Sequence, residues 1–349
     1  MTAPPLVSVV VPTRDRLPLL QATVASVLEQ TLVDLELLVV DDGSSDGTRA
    51  WLADTSRRDP RLHWLDRPVL RPDGGGSQVC RNLGLQQASG QAVLFLDSDD
   101  LLAPTCLEHR WRHLQADPAL DGVGAVACRF RDRPFDLGSD NLWGADTLGL
   151  DPLDCFLAEQ VPWQTAGVLW RRGAFCRIGN WDEALVRGRQ DYELFVRALC
   201  RGCRIGRTAE VDYHWRVPRD DCFSSAQAFQ RRYADGSHNA VLDRVARELV
   251  RQRRLDGGRQ RLLAHGVLRG ALLCRHFGGS WRQASRGVIS ACRLGLLRPP
   301  TAALALLLLL GWGSLAGRNP AMAALARLAG EAPEPRRSGD DLLPAVLFR

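Results

Sequence analysis

The chain has 349 residues, of which 45% are hydrophobic and 24% charged, and its formal net charge is +5. This composition excludes a disordered chain and a membrane protein of many spans, and the length suits one large domain or a domain with an extension. Every basic residue is an arginine; aspartate dominates the first half, whereas residues 231–298 are dense in arginine.

Residues 6–11 are an apolar run ended by Pro12-Thr13-Arg14-Asp15-Arg16, and they read as a first strand. Leu19, Leu20, Val24, Val27 and Leu28 then fall on one face of a helix. Residues 35–40 form a second strand running into Asp41-Asp42-Gly43-Ser44-Ser45-Asp46-Gly47-Thr48, where Asp46 is placed to cap a helix through Trp51 and Leu52. Residues 62–65 give a short third strand. Gly74-Gly75-Gly76 makes a loop, Ser77 starts a helix to Ala88, and residues 92–96 form a fourth strand that ends in Asp97-Ser98-Asp99-Asp100. Strand and helix alternate as βαβ units do, so the fold class is α/β with a mostly parallel sheet.

Pro104 opens a further helix, residues 123–128 read as a strand and residues 132–151 as a loop. Short strands at 168–170 and 209–213 bracket an amphipathic helix at 191–199. From about Ser225 the pattern changes to Arg-rich helices, which divides the chain into regions 1–224 and 225–349. The run 301–310 contains five consecutive leucines, and Arg298 and Arg318 flank it. A spanning helix needs about 20 apolar residues. Reaching that length requires Gly311, Gly313, Ser314 and Gly317, so a buried or interfacial helix is expected and a single span is the alternative. Contact with an anionic inner leaflet through the upstream arginines is a further expectation.

Ten cysteines lie without a disulfide framework. Cys200-Arg201-Gly202-Cys203 has no second pair to complete a zinc site. Met1-Thr2-Ala3-Pro4-Pro5 lacks a basic-then-apolar leader, so a cytoplasmic location is expected. No nucleic-acid recognition motif accompanies the arginines.

In a parallel sheet the turns after strands one, two and four gather along one edge, where such sheets bind ligands. Pro-Thr-Arg at 12–14, the Asp-Asp-Gly-Ser-Ser-Asp-Gly-Thr turn at 41–48, Arg81-Asn82 and the Asp-Ser-Asp-Asp turn at 97–100 follow one another in an order that resembles family 2 glycosyltransferases. The resemblance covers roughly residues 6–224. It implies the GT-A fold and inverting transfer from a nucleotide sugar, a UDP-sugar first among donors, assisted by Mg²⁺ or Mn²⁺.

For the donor, the resemblance implies contacts by Pro12, Thr13, Arg14, Asp42 and Arg81, with Asp42 on the base and Arg81 on base or diphosphate. It implies that Asp97 and Ser98 stand on the ribose side and Asp99 on the metal, with Asp100 as a helper. In Arg189-Gln190-Asp191-Tyr192-Glu193, Asp191 matches the second member of the family's acidic pair and is the expected general base; Gln190 departs from the first member. Asp182 and Glu183 are expected on the acceptor side, and Glu183 is the rival base. His214 and Arg216 are candidates for metal or diphosphate, and Trp163 and Trp181 for either sugar stacking or core anchoring. The acceptor implied is a glycan or a lipid-linked hydroxyl. Gln230-Arg231-Arg232-Tyr233 is not the Gln-x-x-Arg-Trp motif of processive synthases, so a single addition is expected. The rivals are a polyprenyl-phosphate sugar synthase, a nucleotidyltransferase and a non-catalytic nucleotide-sugar binder.

Overall fold

The computed structural model describes residues 4–186, 188–217 and 226–311, with 324–325, 327–329 and 334–336. Its strands are β1 (Val7–Thr13), β2 (Leu35–Asp41), β3 (Leu62–Asp66), β4 (Ala92–Phe95), β5 (Leu101–Leu102), β6 (Gly122–Phe130), β7 (Leu142–Trp143), β8 (Val168–Arg171) and β9 (Ile205–Arg216). They form one curled sheet in the order β3-β2-β1-β4-β8-β6-β9-β5, with β7 on β6.

The first four strands are parallel, as their unbroken Val/Leu runs require when both faces are covered. Alternate residues enter different cores: Val10, Val93 and Phe95 join one, Val9, Val11 and Leu94 the other. The second half departs from the mostly parallel expectation. There β8 runs antiparallel to both β4 and β6, β9 lies parallel to β6, and β5 runs antiparallel to β9. The short strand expected at 209–213 is the middle of β9, twelve residues long. Its length is hidden in the sequence because Arg207, Thr208, Asp212, His214 and Arg216 are polar yet buried. The expected loop 132–151 contains β7, whose Trp143 ring lies 5.2 Å from that of Trp215.

The helices Ser237–Arg251, Gly257–His276 and Trp281–Arg293 lie over the core that contains Phe95, Trp170 and Phe195. Asp256 caps the second, and Ser280 with Gln283 forms a capping box on the third. The leucine run lies in the helix Pro299–Gly311, about 20 Å long at 1.5 Å per residue. Ala302, Ala305 and Leu309 are buried, whereas Leu304, Leu307 and Leu310 face outward. No helix among the described residues is long and apolar enough to cross a membrane. The division at 224/225 and the end of the 301–317 stretch fall outside the described residues.

Candidate functional site

The carboxyl ends of β1, β2 and β4 lie side by side, and each delivers part of the site. After β1, the Thr13 carbonyl accepts the Asp42 N–H at 2.8 Å, and the buried Thr13 Oγ1 has no partner. Pro12 is buried in the strand, while Arg14 extends into solvent and pairs with Asp15 at 3.7 Å. After β2, Asp41 accepts the backbone N–H groups of Gly43 and Ser44 and so folds its own turn. Asp46 accepts from Thr48 and also from the Leu17 N–H, so it ties two helices rather than capping one.

Asp42 is held between the Arg67 guanidinium (2.6 Å) and the Gly76 N–H (2.8 Å). Gly76 at φ 101° turns the triple-glycine loop into the helix Ser77–Gln87. That helix lies tight on β1: a Cβ at Gly84 would meet Val10 Cγ1 at 2.3 Å. The close approach brings Arg81 over the sheet edge. Its guanidinium pairs with Asp97 and lies 4.6 Å from the ring centre of Trp181.

After β4, Asp99 accepts from Arg16 at 2.6 Å. Asp100 is buried; its Oδ1 accepts the Arg216 N–H at 2.8 Å, and the Arg216 Nε donates to the Asp99 carbonyl at 2.7 Å. Burial pushes the Asp99 and Asp100 carboxyls up, and the neighbouring carboxylates push further. Ser98 is buried in the turn.

Among the described residues, no group of three or more His, Cys, Asp or Glu is gathered to hold a metal ion. Two oxygens nevertheless suit one. Among the described residues Asp97 Oδ2 and Asp99 Oδ1 make no hydrogen bond, and they belong to a turn whose carboxylates repel one another. Mg²⁺ is usually bound by one or two carboxylates, with substrate phosphates filling other positions. Carboxylate oxygens of this kind are the donor set a divalent ion takes.

The fourth part comes from the helix Gln190–Cys200. Gln190 is its connection to the donor side: its Oε1 accepts from Ser77 (3.1 Å) and Arg81 (3.3 Å), and its Nε2 donates to Gln78 Oε1 (3.0 Å) and the Leu185 carbonyl (2.7 Å). A glutamate would set a carboxylate against those two acceptors, which explains the departure from the acidic pair. Asp191, beside it, is part-buried, and its one hydrogen bond among the described residues comes from the Tyr192 N–H at 2.8 Å. Burial raises its pKa, Arg81 and Arg189 pull it down, and Asp97 adds to the rise. The carboxylate thus lies within electrostatic reach of the Arg81–Asp97 pair.

Other candidates are otherwise engaged. Glu183 forms a two-pronged pair with Arg71 and accepts from Asn82 at 2.8 Å, and these donors hold its carboxyl below the usual range. Asp182 pairs with Arg244 at 3.0 Å. Burial lowers the His214 pKa; among the described residues its Nδ1 has no hydrogen-bond partner, and Phe135 packs edge-on at 4.9 Å. Trp163 and Trp181 are core anchors, 1% and 2% exposed, which overturns the sugar-stacking alternative. Arg16, Arg67 and Glu159 carried no signal in the sequence, because each acts on a partner 25 or more residues away.

The model of the Glycosyl transferase family 2 domain matches residues 8–162, and that of Glycosyl transferase family group 2 matches residues 92–316. A putative teichuronic acid biosynthesis glycosyltransferase, TuaG of Bacillus subtilis, is 35% identical over 126 residues, 36% of this chain and 45% of the relative. The Escherichia coli UDP-Glc:alpha-D-GlcNAc-diphosphoundecaprenol beta-1,3-glucosyltransferase WfgD is 39% identical over 103 residues, 30% of this chain and 38% of the relative. The matched stretch thus spans less than half the length of either. Residues 1–349 of S. aureus TarS in complex with UDP-GlcNAc share the fold with a TM-score of 0.64 at 17% identity, covering 92% of this chain and 90% of that one.

Proposed function

This chain belongs to the family 2 glycosyltransferases, and on that premise we propose that it is an inverting enzyme moving one sugar from a nucleotide donor to an acceptor hydroxyl. The observation that carries the reading is the placement of Asp191 within reach of the Arg81–Asp97 pair, 94 residues from Asp97 in the chain. A carboxylate of raised pKa near that pair supports its assignment as the group that takes the acceptor's proton.

Asp42, with Thr13 beside it, is assigned to the nucleobase. A carboxylate suits the N3–H of uracil, and TarS has been seen with UDP-GlcNAc. Pro12 and Arg14 border the nucleoside, and Asp97 and Ser98 stand on the ribose side. Arg81 is released toward the diphosphate as the donor enters, a bidentate role its fork geometry suits. Asp99 would hold the divalent ion, Mg²⁺ or Mn²⁺, with Asp97 beside it and Asp100 behind. Bound there, it supplies positive charge to the departing diphosphate. Asp191 accepts the proton of the acceptor hydroxyl as that oxygen bonds to the anomeric carbon. Arg216 and His214 brace the Asp97–Asp100 turn from β9, and Asp182 and Glu183 shape the acceptor side.

The acceptor is a glycan or a lipid-linked hydroxyl; the acceptor of WfgD, a diphosphoundecaprenol-linked GlcNAc, is of the second kind. We assign catalysis to 1–224 and treat 225–349 as a separate region, whose described helices Ser237–Arg251, Gly257–His276 and Trp281–Arg293 pack on the catalytic core. Work at the inner face of a membrane, without crossing it, is supported by Leu304, Leu307 and Leu310 facing outward beside the exposed Arg298. Sedimentation with anionic phospholipid vesicles, lost in Leu307→Glu, checks that part.

The decisive experiment is Asp191→Asn. It should bind UDP as the parent does and release no UDP from a UDP-sugar. Undiminished release would remove Asp191 as the base.

A further inference from the structure

Glu159 and Arg189 share a rare backbone state. Their φ angles are 62° and 60°, in the left-handed region that strains an ordinary side chain. The two pair with each other, Arg189 Nη1 lying 3.0 Å from Glu159 Oε1. Burial opposes the Glu159 charge, but Arg189 and the neighbouring cations outweigh it and hold the carboxyl below its usual range. Such strain persists only where surrounding contacts over-determine it.

A third member comes from the C-terminal helices. His238 lies in the helix Ser237–Arg251 and is 3% exposed. Burial, with help from Arg189, pushes its pKa down to about 3, so the ring is neutral. Its Nδ1 accepts from Arg189 and its Nε2 lies 3.2 Å from Glu159 Oε1, which closes a triangle of three side chains. Tyr233 stacks on the imidazole at 4.4 Å, and Arg269 approaches Glu159 at 3.6 Å.

The triangle acts on the start of the helix that carries Asp191. Arg189 is the residue before that helix, which has no side-chain cap, and its guanidinium covers the Tyr192 ring at 4.2 Å. The Tyr192 backbone N–H donates to Asp191, its one hydrogen bond among the described residues. Arg232, from the helix Ala226–Ala234, is also within electrostatic reach of both Arg189 and Asp191.

We propose that Glu159, Arg189 and His238 are positioning residues that aim the Asp191 carboxylate, which makes the C-terminal helical region a working part of the catalytic site. The proposal rests on Asp191 being the base. A base misplaced by 1 Å costs roughly 100-fold in rate, so loosening the triangle should lower turnover without touching the donor.

Arg189→Gly is the sharpest variant, because glycine occupies φ 60° without strain while the guanidinium is lost. With water as acceptor, Mn²⁺ present and UDP-GlcNAc as donor, kcat should fall about 30-fold. The donor KM, and the UDP Kd by calorimetry, should stay within twofold. A role limited to the backbone turn predicts unchanged kcat, and a turnover within twofold of the parent overturns the proposal. If Arg189→Gly does not fold, His238→Phe retains the stack on Tyr233 and removes both imidazole contacts. It should lose about fivefold in kcat at constant KM, and an unchanged kcat is again fatal. Glu159→Gln should fall between the two. Activity in Asp191→Asn would fail the base assignment itself, whereas inactive Asp191→Asn alongside fully active triangle variants would fail the positioning claim alone.

Discussion

The two halves of the sheet solve the same problem by different means. On the donor side, β1, β2 and β4 are parallel, and each ends in a polar turn only a few residues long, so Thr13, Asp42 and Asp97–Asp100 arrive at one edge by topology alone. In the other half, β8, β6 and β9 run in both directions, and the proposed base is carried by none of these strands. Asp191 reaches the centre through a helix held by Gln190 from one direction and by Arg189 from the other. A parallel edge gathers polar turns by default, whereas the proposed base is held near it by long-range side-chain contacts.

That contrast can be broken in order of effect. Asp99→Ala removes a free carboxylate oxygen from the donor edge, and UDP binding in Mn²⁺ should weaken about 100-fold, near 2.7 kcal/mol. Thermal stability should hold or rise. Metal-independent UDP binding of parental strength would break the assignment. Next, Gly84→Ala forces a methyl onto Val10 and lifts the helix that carries Arg81. Overpacking of this kind costs roughly 2 kcal/mol, read as a lower Tm together with weaker UDP binding.

The pH profile of UDP release separates the halves further. A base must be deprotonated, and burial raises Asp191, so turnover should decline with falling pH at values above the ordinary aspartate pKa of about 3.9. An acid limb at or below that value would place the proton acceptor elsewhere. Smaller still, Glu183→Gln should cost less than about fivefold, because Glu183 already spends its charge on Arg71.

The smallest effect has the opposite sign. Burial raises the folded-state pKa of Asp100, with Asp99 and Asp97 adding to it, so its charged form opposes folding at neutral pH. Asp100→Asn can still accept the Arg216 N–H, and its Tm at pH 7 should rise by about 2 °C. The gain should vanish below the unfolded pKa of about 3.9, where the parent is protonated in both states.

How much of this was legible follows from the same contrast. The four parallel strands announce themselves as Val/Leu runs, and their turns are contiguous motifs, so Asp42, Arg81, Asp97 and Asp99 could be named from the sequence. The twelve-residue β9 could not, because its buried Arg207, Asp212 and Arg216 erase the alternation that marks a strand. Asp191 was legible through a short helix-start motif, but its supports were not. Glu159, Arg189 and His238 lie 30 and 49 residues apart, and the left-handed φ of the first two leaves no mark on residue type.

Trp181 gives the donor side an optical readout. Its indole is buried against the Arg81 guanidinium, 4.6 Å from the ring centre, and that cation is the group a diphosphate would draw away. A positive charge leaving an indole shifts its emission. Although the chain has ten tryptophans, the difference between parent and Trp181→Phe spectra isolates this ring. Titration with UDP should therefore be readable by intrinsic fluorescence, with no label on a chain that has no lysine to carry one.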